Sequence, residues 1–194
     1  MKLAAKELAL MGMLIALNVA VGGVVQVIKL PIYLDAIGTI LGALILGLVP
    51  GMVVGVLSFV VAAAVVSPVY IWFIGTQAII AVFAYLAASF LLAFKSLPRV
   101  ILTGIALGIV AGIASAPVIV IIFGGVAGSG RDLITAGLLS TGQQIYKAVI
   151  LSGAASEPVD KLLQTLAAFF VLKSLPKRVL GQYRNPILEK NGFL

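Results

Sequence analysis

The chain of 194 residues is 62% hydrophobic and only 10% charged, far above the roughly 45–50% apolar usage of a soluble domain. It carries 13 Lys and Arg against 6 Asp and Glu, for a formal net charge of +7, and has no Cys and no His. That composition excludes a disulfide framework and thiolate chemistry and removes the usual transition-metal ligands, so neither a metal site nor metal catalysis is expected.

Apolar runs can be drawn at residues 8–28, 36–49, 51–66, 74–94, 100–123 and 159–172. A crossing needs about 20 mostly apolar residues, so the expectation is an all-α membrane protein of six transmembrane helices in one domain, residues 1–180, followed by a cytoplasmic tail, 181–194. The first run is too long for a signal-peptide core and lacks a cleavage site, which reads as a retained helix. Breaks follow at Pro31, at a tight turn on Pro50 and Gly51, at Ser67 and Pro68, at Pro98, and in the Gly-rich stretch from Gly124 to Gly130. The second and third runs are short and call for tilt or extension into the turns.

Basic residues near helix ends favour the cytoplasm. With the N-terminus inside, Lys2, Lys6, Lys95, Arg99, Lys173, Lys177, Arg178, Arg184 and Lys190 fall inside. Lys29, Arg131, Lys147 and Lys161 fall outside and are balanced there by Asp35, Asp132, Glu157 and Asp160. The positive charge therefore marks a topology with both termini cytoplasmic, and no nucleic-acid partner is expected, since that would need a basic face interleaved with aromatics on a soluble surface. Gln143, Gln144 and Lys147 argue against a seventh crossing, so residues 132–155 read as an extracellular capping helix or loop before the last helix.

Small residues recur at four-residue spacing: Gly12, Ala16 and Ala20, with Ala5 and Ala9 before them; Gly47, Gly51 and Gly55; and Gly104, Gly108 and Gly112. Such rows let helices approach closely in lipid. Most are expected to pack within the bundle, while the row on the first helix has room to face a second protein.

At the start of the last helix, with Ser156 as cap and Pro158 in the first turn, Glu157, Asp160, Lys161 and Gln164 lie on one stripe. They are the leading candidates for substrate contact, although Glu157 and Lys161 also have the spacing of an intrahelical pair. Tyr33, Asp35, Tyr70, Trp72 and Gln77 cluster at the same end, where Trp and Tyr also populate the interfacial belt. Gln144 and Tyr146 on the capping segment could close over a ligand, and Asn18 is either a polar lock between helices or a deeper contact. Aromatic faces, a few amides and one charge are the means by which a flat polar molecule is held.

The run Leu30-Pro31-Ile32-Tyr33-Leu34-Asp35-Ala36-Ile37-Gly38-Thr39-Ile40-Leu41-Gly42, the small-residue stripe on the first helix and the basic exit Lys173-Ser174-Leu175-Pro176-Lys177-Arg178 together resemble the substrate-binding S component of an energy-coupling factor (ECF) vitamin transporter. The resemblance implies a protein that binds a water-soluble vitamin or related micronutrient from outside. It then reorients on docking to a transmembrane coupling protein driven by two cytoplasmic ATPases. The family docks through an Ala-x-x-x-Ala motif on helix one, a place taken here by Gly12 and Ala16 or by Ala5 and Ala9. Riboflavin-type relatives place an amide three residues before a lysine in helix six, and Pro158 stands at that position before Lys161.

The chain contains no G-x-x-x-x-G-K-[ST] loop, so ATP would be used only by partner subunits and no cofactor is expected. No carboxylate is expected at mid-depth in a crossing, which argues against an ion-coupled pump. The alternative reading is a stand-alone channel or facilitator for a small neutral solute. An enzyme is not expected, because no Ser is paired with a plausible base inside the bundle.

Overall fold

The computed structural model describes residues 4–183 and 185–194; Lys2 and Arg184, counted above among the cytoplasmic charges, lie outside them. All regular structure among the described residues is helical. The order is α1 (Ala5–Val27), α2 (Ile37–Ile45), α3 (Leu48–Val65), a 3-10 turn (Pro68–Phe73), α4 (Ile74–Phe90), α5 (Leu97–Ile121), α6 (Asp132–Ser140), α7 (Ile145–Ser174), α8 (Lys177–Leu180), a second 3-10 turn (Gly181–Tyr183) and α9 (Pro186–Lys190).

Four helical stretches are long and apolar enough to cross a bilayer: Ala5–Val27, Leu48–Val65, Pro68–Phe90 and Leu97–Ile121. Their outward faces are apolar as well, with Val27, Val65, Phe90, Leu102, Ile113 and Ile121 all exposed. A helix hydrophobic on every side is the pattern of a lipid-facing bundle, since water would leave the outer face unburied. Two further runs do not meet the length-and-apolarity description. The nine residues of α2 are too short to span, and every one from Gly38 to Ile45 is buried at the centre of the bundle. The 30 residues of α7 are long enough but carry Lys147, Glu157, Asp160, Lys161 and Lys173.

Three expected boundaries shift. The turn between the second and third runs falls at Leu46 and Gly47, where Gly47 takes φ +101°, and Pro50 and Gly51 lie in the first turn of α3. Proline is tolerated there because first-turn amides have no intrahelical acceptor. The helix expected to begin near Ser156 begins at Ile145 and runs through Pro158; the Ser156 hydroxyl is no cap, donating instead to the Ser152 carbonyl at 2.9 Å. Residues 132–155 accordingly divide between α6 and the first turns of α7. Finally, the segment after Arg184 is not an appendage. Ile187, Leu188 and Phe193 join the main core, while Asn191 accepts from Phe94 N at 3.0 Å and donates to the Ala88 carbonyl at 3.0 Å. The Asn185 side chain caps α9 through Ile187 N at 3.1 Å and donates to the Leu44 carbonyl at 3.0 Å.

Glycine sets the closest helix pair, α5 with α7. A Cβ on Gly108 would collide with Pro158 Cα and the Glu157 carbonyl, and one on Gly104 with Thr165 and Leu162. On α3, a Cβ on Gly51 would meet the Ala43 backbone at 2.6 Å. By contrast, a Cβ on Gly12 would meet nothing within 4 Å, and Ala5, Ala9, Ala16 and Ala20 are exposed along the same face of α1. The rows on α3 and α5 are internal seams, and the row on α1 faces outward.

Candidate functional site

Polar groups that the sequence scatters over 130 residues converge at one end of the bundle, where the C-terminal ends of α1 and α5 and the start of α4 surround the middle of α7. Glu157 lies about 18 Å along α7 from Ile145 at 1.5 Å per residue. Its charged stripe is therefore in mid-helix rather than at a helix start.

Asp160 is fully buried and organises this end. Its Oδ1 accepts from the backbone N–H groups of Tyr33 and Leu34, both at 2.9 Å. Its Oδ2 accepts from Lys161 Nζ at 2.5 Å and Gln164 Nε2 at 2.7 Å. Gln164 Oε1 in turn accepts from Ala36 N at 2.8 Å. Asp160 and Gln164 thereby pin the segment 33–36 onto α7. Leu34 takes φ +51°, a left-handed conformation that costs a side-chain-bearing residue about 1–2 kcal/mol, and the two bonds to Asp160 hold it there.

A second layer surrounds Lys161. Its Nζ lies 3.8 Å from Asp35 Oδ1 and 3.7 Å from Glu157 Oε2, and 5.7 Å from the Tyr33 ring centroid. Glu157 Oε1 accepts from Arg131 Nη1 at 3.4 Å. Arg131 is itself only 1% exposed; it donates to the Val149 carbonyl at 2.5 Å and to Ser152 Oγ at 3.2 Å. Three carboxylates and two cations thus share one buried network. Such ions tolerate burial only because each has a partner.

Beside the network lies a cleft of about 80 Å³. Asp35, Glu157, Lys161, Tyr33, Tyr70 and Gln77 line it, as do Gln26, Phe59, Phe73, Thr76, Ser115 and Ser129. Tyr70 meets Phe59 edge to face, with ring centroids 5.0 Å apart, and Phe73 stacks on Phe123 at 6.1 Å. Under the cleft runs a hydrogen-bonded floor. Gln77 Nε2 donates to the Asp35 carbonyl at 3.2 Å, Thr39 Oγ1 donates to Gln77 Oε1 at 2.7 Å, and Asn18 Nδ2 donates to Thr39 Oγ1 and Ser58 Oγ, both at 3.0 Å. Gly38 N completes the set by donating to Asn18 Oδ1 at 2.7 Å. Asn18 is the polar lock of α1, α2 and α3.

Of the residues singled out from sequence, the fold brings Lys161, Glu157, Asp35, Tyr33, Tyr70 and Gln77 to the cleft. It places Asp160 and Gln164 behind the cleft wall, with their polar atoms bonded to the chain itself. Trp72 is 53% exposed and outside the cleft, and Gln144 and Tyr146 are exposed on the first turn of α7, also outside it. Arg131 was assigned to the outer loop beside Asp132. Asp132 instead accepts from Gly128 N at 2.5 Å and Ser129 N at 2.8 Å, leaving Arg131 to Glu157. No local pattern could have paired Arg131 with a residue 26 positions away. The Gly104, Gly108 and Gly112 row was the one available signal that α5 lies against the charged part of α7. Comparison with protein-family models, with curated proteins and with solved structures finds no match.

Proposed function

We propose that the chain is a membrane receptor for a small water-soluble nutrient, the substrate-binding S component of an ECF-type importer. In this reading it crosses the membrane six times, through α1, α2 with its flanking segments, α3, α4 with its preceding turn, α5 and α7. Both termini are cytoplasmic and α6 lies at the outer end. The ligand is a vitamin or related micronutrient that enters the cleft from outside. Delivery then requires reorientation of the whole bundle on a coupling protein powered by two cytoplasmic ATPases.

The observation that carries this reading is the one-ended cleft. It is polar and aromatic at its mouth and ends on the floor made by Gln77 and Thr39. Beyond the floor, Ile40, Leu44, Ala84, Leu107 and Leu172 form a continuous apolar core, further closed by Leu188 and Phe193. A channel needs a polar or wettable path to the far side. The outward-facing small residues of α1 supply a flat face on which another helix could pack.

A second reading rests on the ionisable groups in the middle of α7, since buried charges in a crossing are used by ion-coupled carriers. Reconstitution separates the two. The receptor reading expects the chain alone in liposomes to bind its co-purifying small molecule, identified by mass, and to accumulate none of it. ATP-dependent uptake should appear only with the ECF module, and Gly12→Leu should abolish that uptake while sparing binding. Uptake by the chain alone under a proton gradient would establish the carrier, and ungated entry without a gradient would establish the facilitator.

A further inference from the structure

The receptor reading leaves the ligand's chemistry open, and the state of each polar group in the cleft narrows it. Each nitrogen donor that lines the cleft already has an acceptor. Lys161 bonds Asp160 at 2.5 Å and is flanked by two more carboxylates. Gln77 donates to the Asp35 carbonyl, Gln26 Nε2 to the Gly128 carbonyl at 3.1 Å, and the Ser115 hydroxyl to the Gly112 carbonyl at 3.2 Å.

The carboxylate acceptors are not matched in this way. The Asp35 carboxylate is 6% exposed, faces the cleft, and accepts no hydrogen bond from another described residue; its nearest cation is 3.8 Å away. Glu157 Oε1 accepts one long bond from Arg131 at 3.4 Å, and Oε2 has only Lys161 at 3.7 Å. A buried carboxylate held only by long ion pairs keeps lone pairs open to a further donor. With all five groups ionised, three carboxylates against two cations leave the network at net −1. An anionic ligand would meet that negative charge and could reach the ammonium only by breaking its bond to Asp160.

We infer that the cleft selects a flat nitrogen heterocycle whose edge is cationic and rich in N–H donors, of the amino-pyrimidine, amino-pyridinium or aryl-amidine type. The donor edge faces Asp35 and Glu157, and the ring lies among Tyr70, Phe59 and Phe73. Charge-assisted bonds from N–H⁺ to carboxylate are about twice as strong as neutral ones, and an amidine edge matches a carboxylate with two of them. The aromatic walls add cation–π attraction for a charged ring. The same charges disfavour compounds recognised through a carboxylate or phosphate.

The inference is tested on the full chain in detergent with two flat probes of nearly the same shape and opposite charge, benzamidine and benzoate, by ligand-observed NMR titration. Benzamidine should bind at least about tenfold more tightly, the worth of roughly one charge-assisted bond. Asp35→Asn should erase that preference. Asp35→Asn removes one 3.8 Å ion pair to Lys161 and no side-chain hydrogen bond to another described residue, so its folding is checked by thermal melting, and the wild-type comparison of the two probes stands whether or not a variant folds. Equal or tighter binding of benzoate overturns the charge assignment, as does a preference for benzamidine that survives Asp35→Asn in a folded protein. Failure of both probes to bind at about tens of millimolar overturns it too, since even small fragments that fit a site gain substantial energy per atom. None of these outcomes touches the receptor reading, which stands or falls separately on ATP-dependent uptake with the ECF module.

Discussion

The two halves of α7 solve opposite problems. From Thr165 to Ser174 the helix packs Ala168, Phe169 and Leu172 into an apolar core shared with α2, α4 and the segment after Arg184. From Gly153 to Gln164 it buries Glu157, Asp160 and Lys161 among Arg131, Asp35 and the backbone of residues 33–36. The first half gains from close packing alone and needs no particular partner chemistry. The second is stable only while its charges keep their counterparts, which makes it costly to disturb. In this bundle apolar packing and a buried ion network share one helix and are separated along its length.

The comparison breaks most completely where the seam of small residues meets the charges. Gly108→Leu would drive a side chain into Pro158 and the Glu157 carbonyl. Backbone cannot yield as a flexible side chain does, so the expected loss exceeds the ~1–3 kcal/mol typical of overpacking, read as absence of a monodisperse folded peak by size-exclusion chromatography in detergent. Next in size is Arg131→Ala, which leaves Glu157 buried beside Lys161 alone; removing one partner of a buried pair costs about 3–5 kcal/mol. Combining Arg131→Met with Glu157→Gln should restore part of the melting temperature. If the double variant is worse than the single one, the pair is not the source of the loss.

A smaller effect is expected at Asp35, whose carboxylate reaches Lys161 only at 3.8 Å: Asp35→Asn should lower the melting temperature by less than Arg131→Ala does, since the pair it loses is long and no side-chain hydrogen bond to another described residue goes with it. The smallest effect is expected at Trp72, exposed and outside the cleft: Trp72→Ala should change stability by no more than about 0.5 kcal/mol and leave affinity unaltered, measured by thermal melting and titration.

Much of the frame was legible in the chain. The break at Ser67 and Pro68 falls where α3 gives way to the 3-10 turn, because proline cannot donate into a helix. The shared stripe of Glu157, Asp160, Lys161 and Gln164 follows from the helical period. The start of α7 was misread because Ser156, Glu157 and Pro158 form a convincing local helix start. Helix-start signals report which residues could begin a helix and not whether one is already running. Pro158 is accommodated because Gly108 on α5 leaves room for it. The last segment was opaque for a related reason. Asn185 and Asn191 look like solvent-facing residues until Leu44, Ala88 and Phe94 are brought beneath them.

What the sequence determined by itself is the material: runs this long and apolar form helices able to cross a bilayer, where unpaired backbone groups would be too costly. What only the tertiary structure decided is which polar groups are spent on the fold and which remain for something else. Asp160 and Asp35 are the same residue type at the same end of the molecule, yet one accepts four hydrogen bonds and the other none from another described residue. Composition and spacing could not separate them. Two of the four donors to Asp160, the backbone N–H groups of Tyr33 and Leu34, lie more than a hundred residues away in the chain, and they meet it only after the helices have packed.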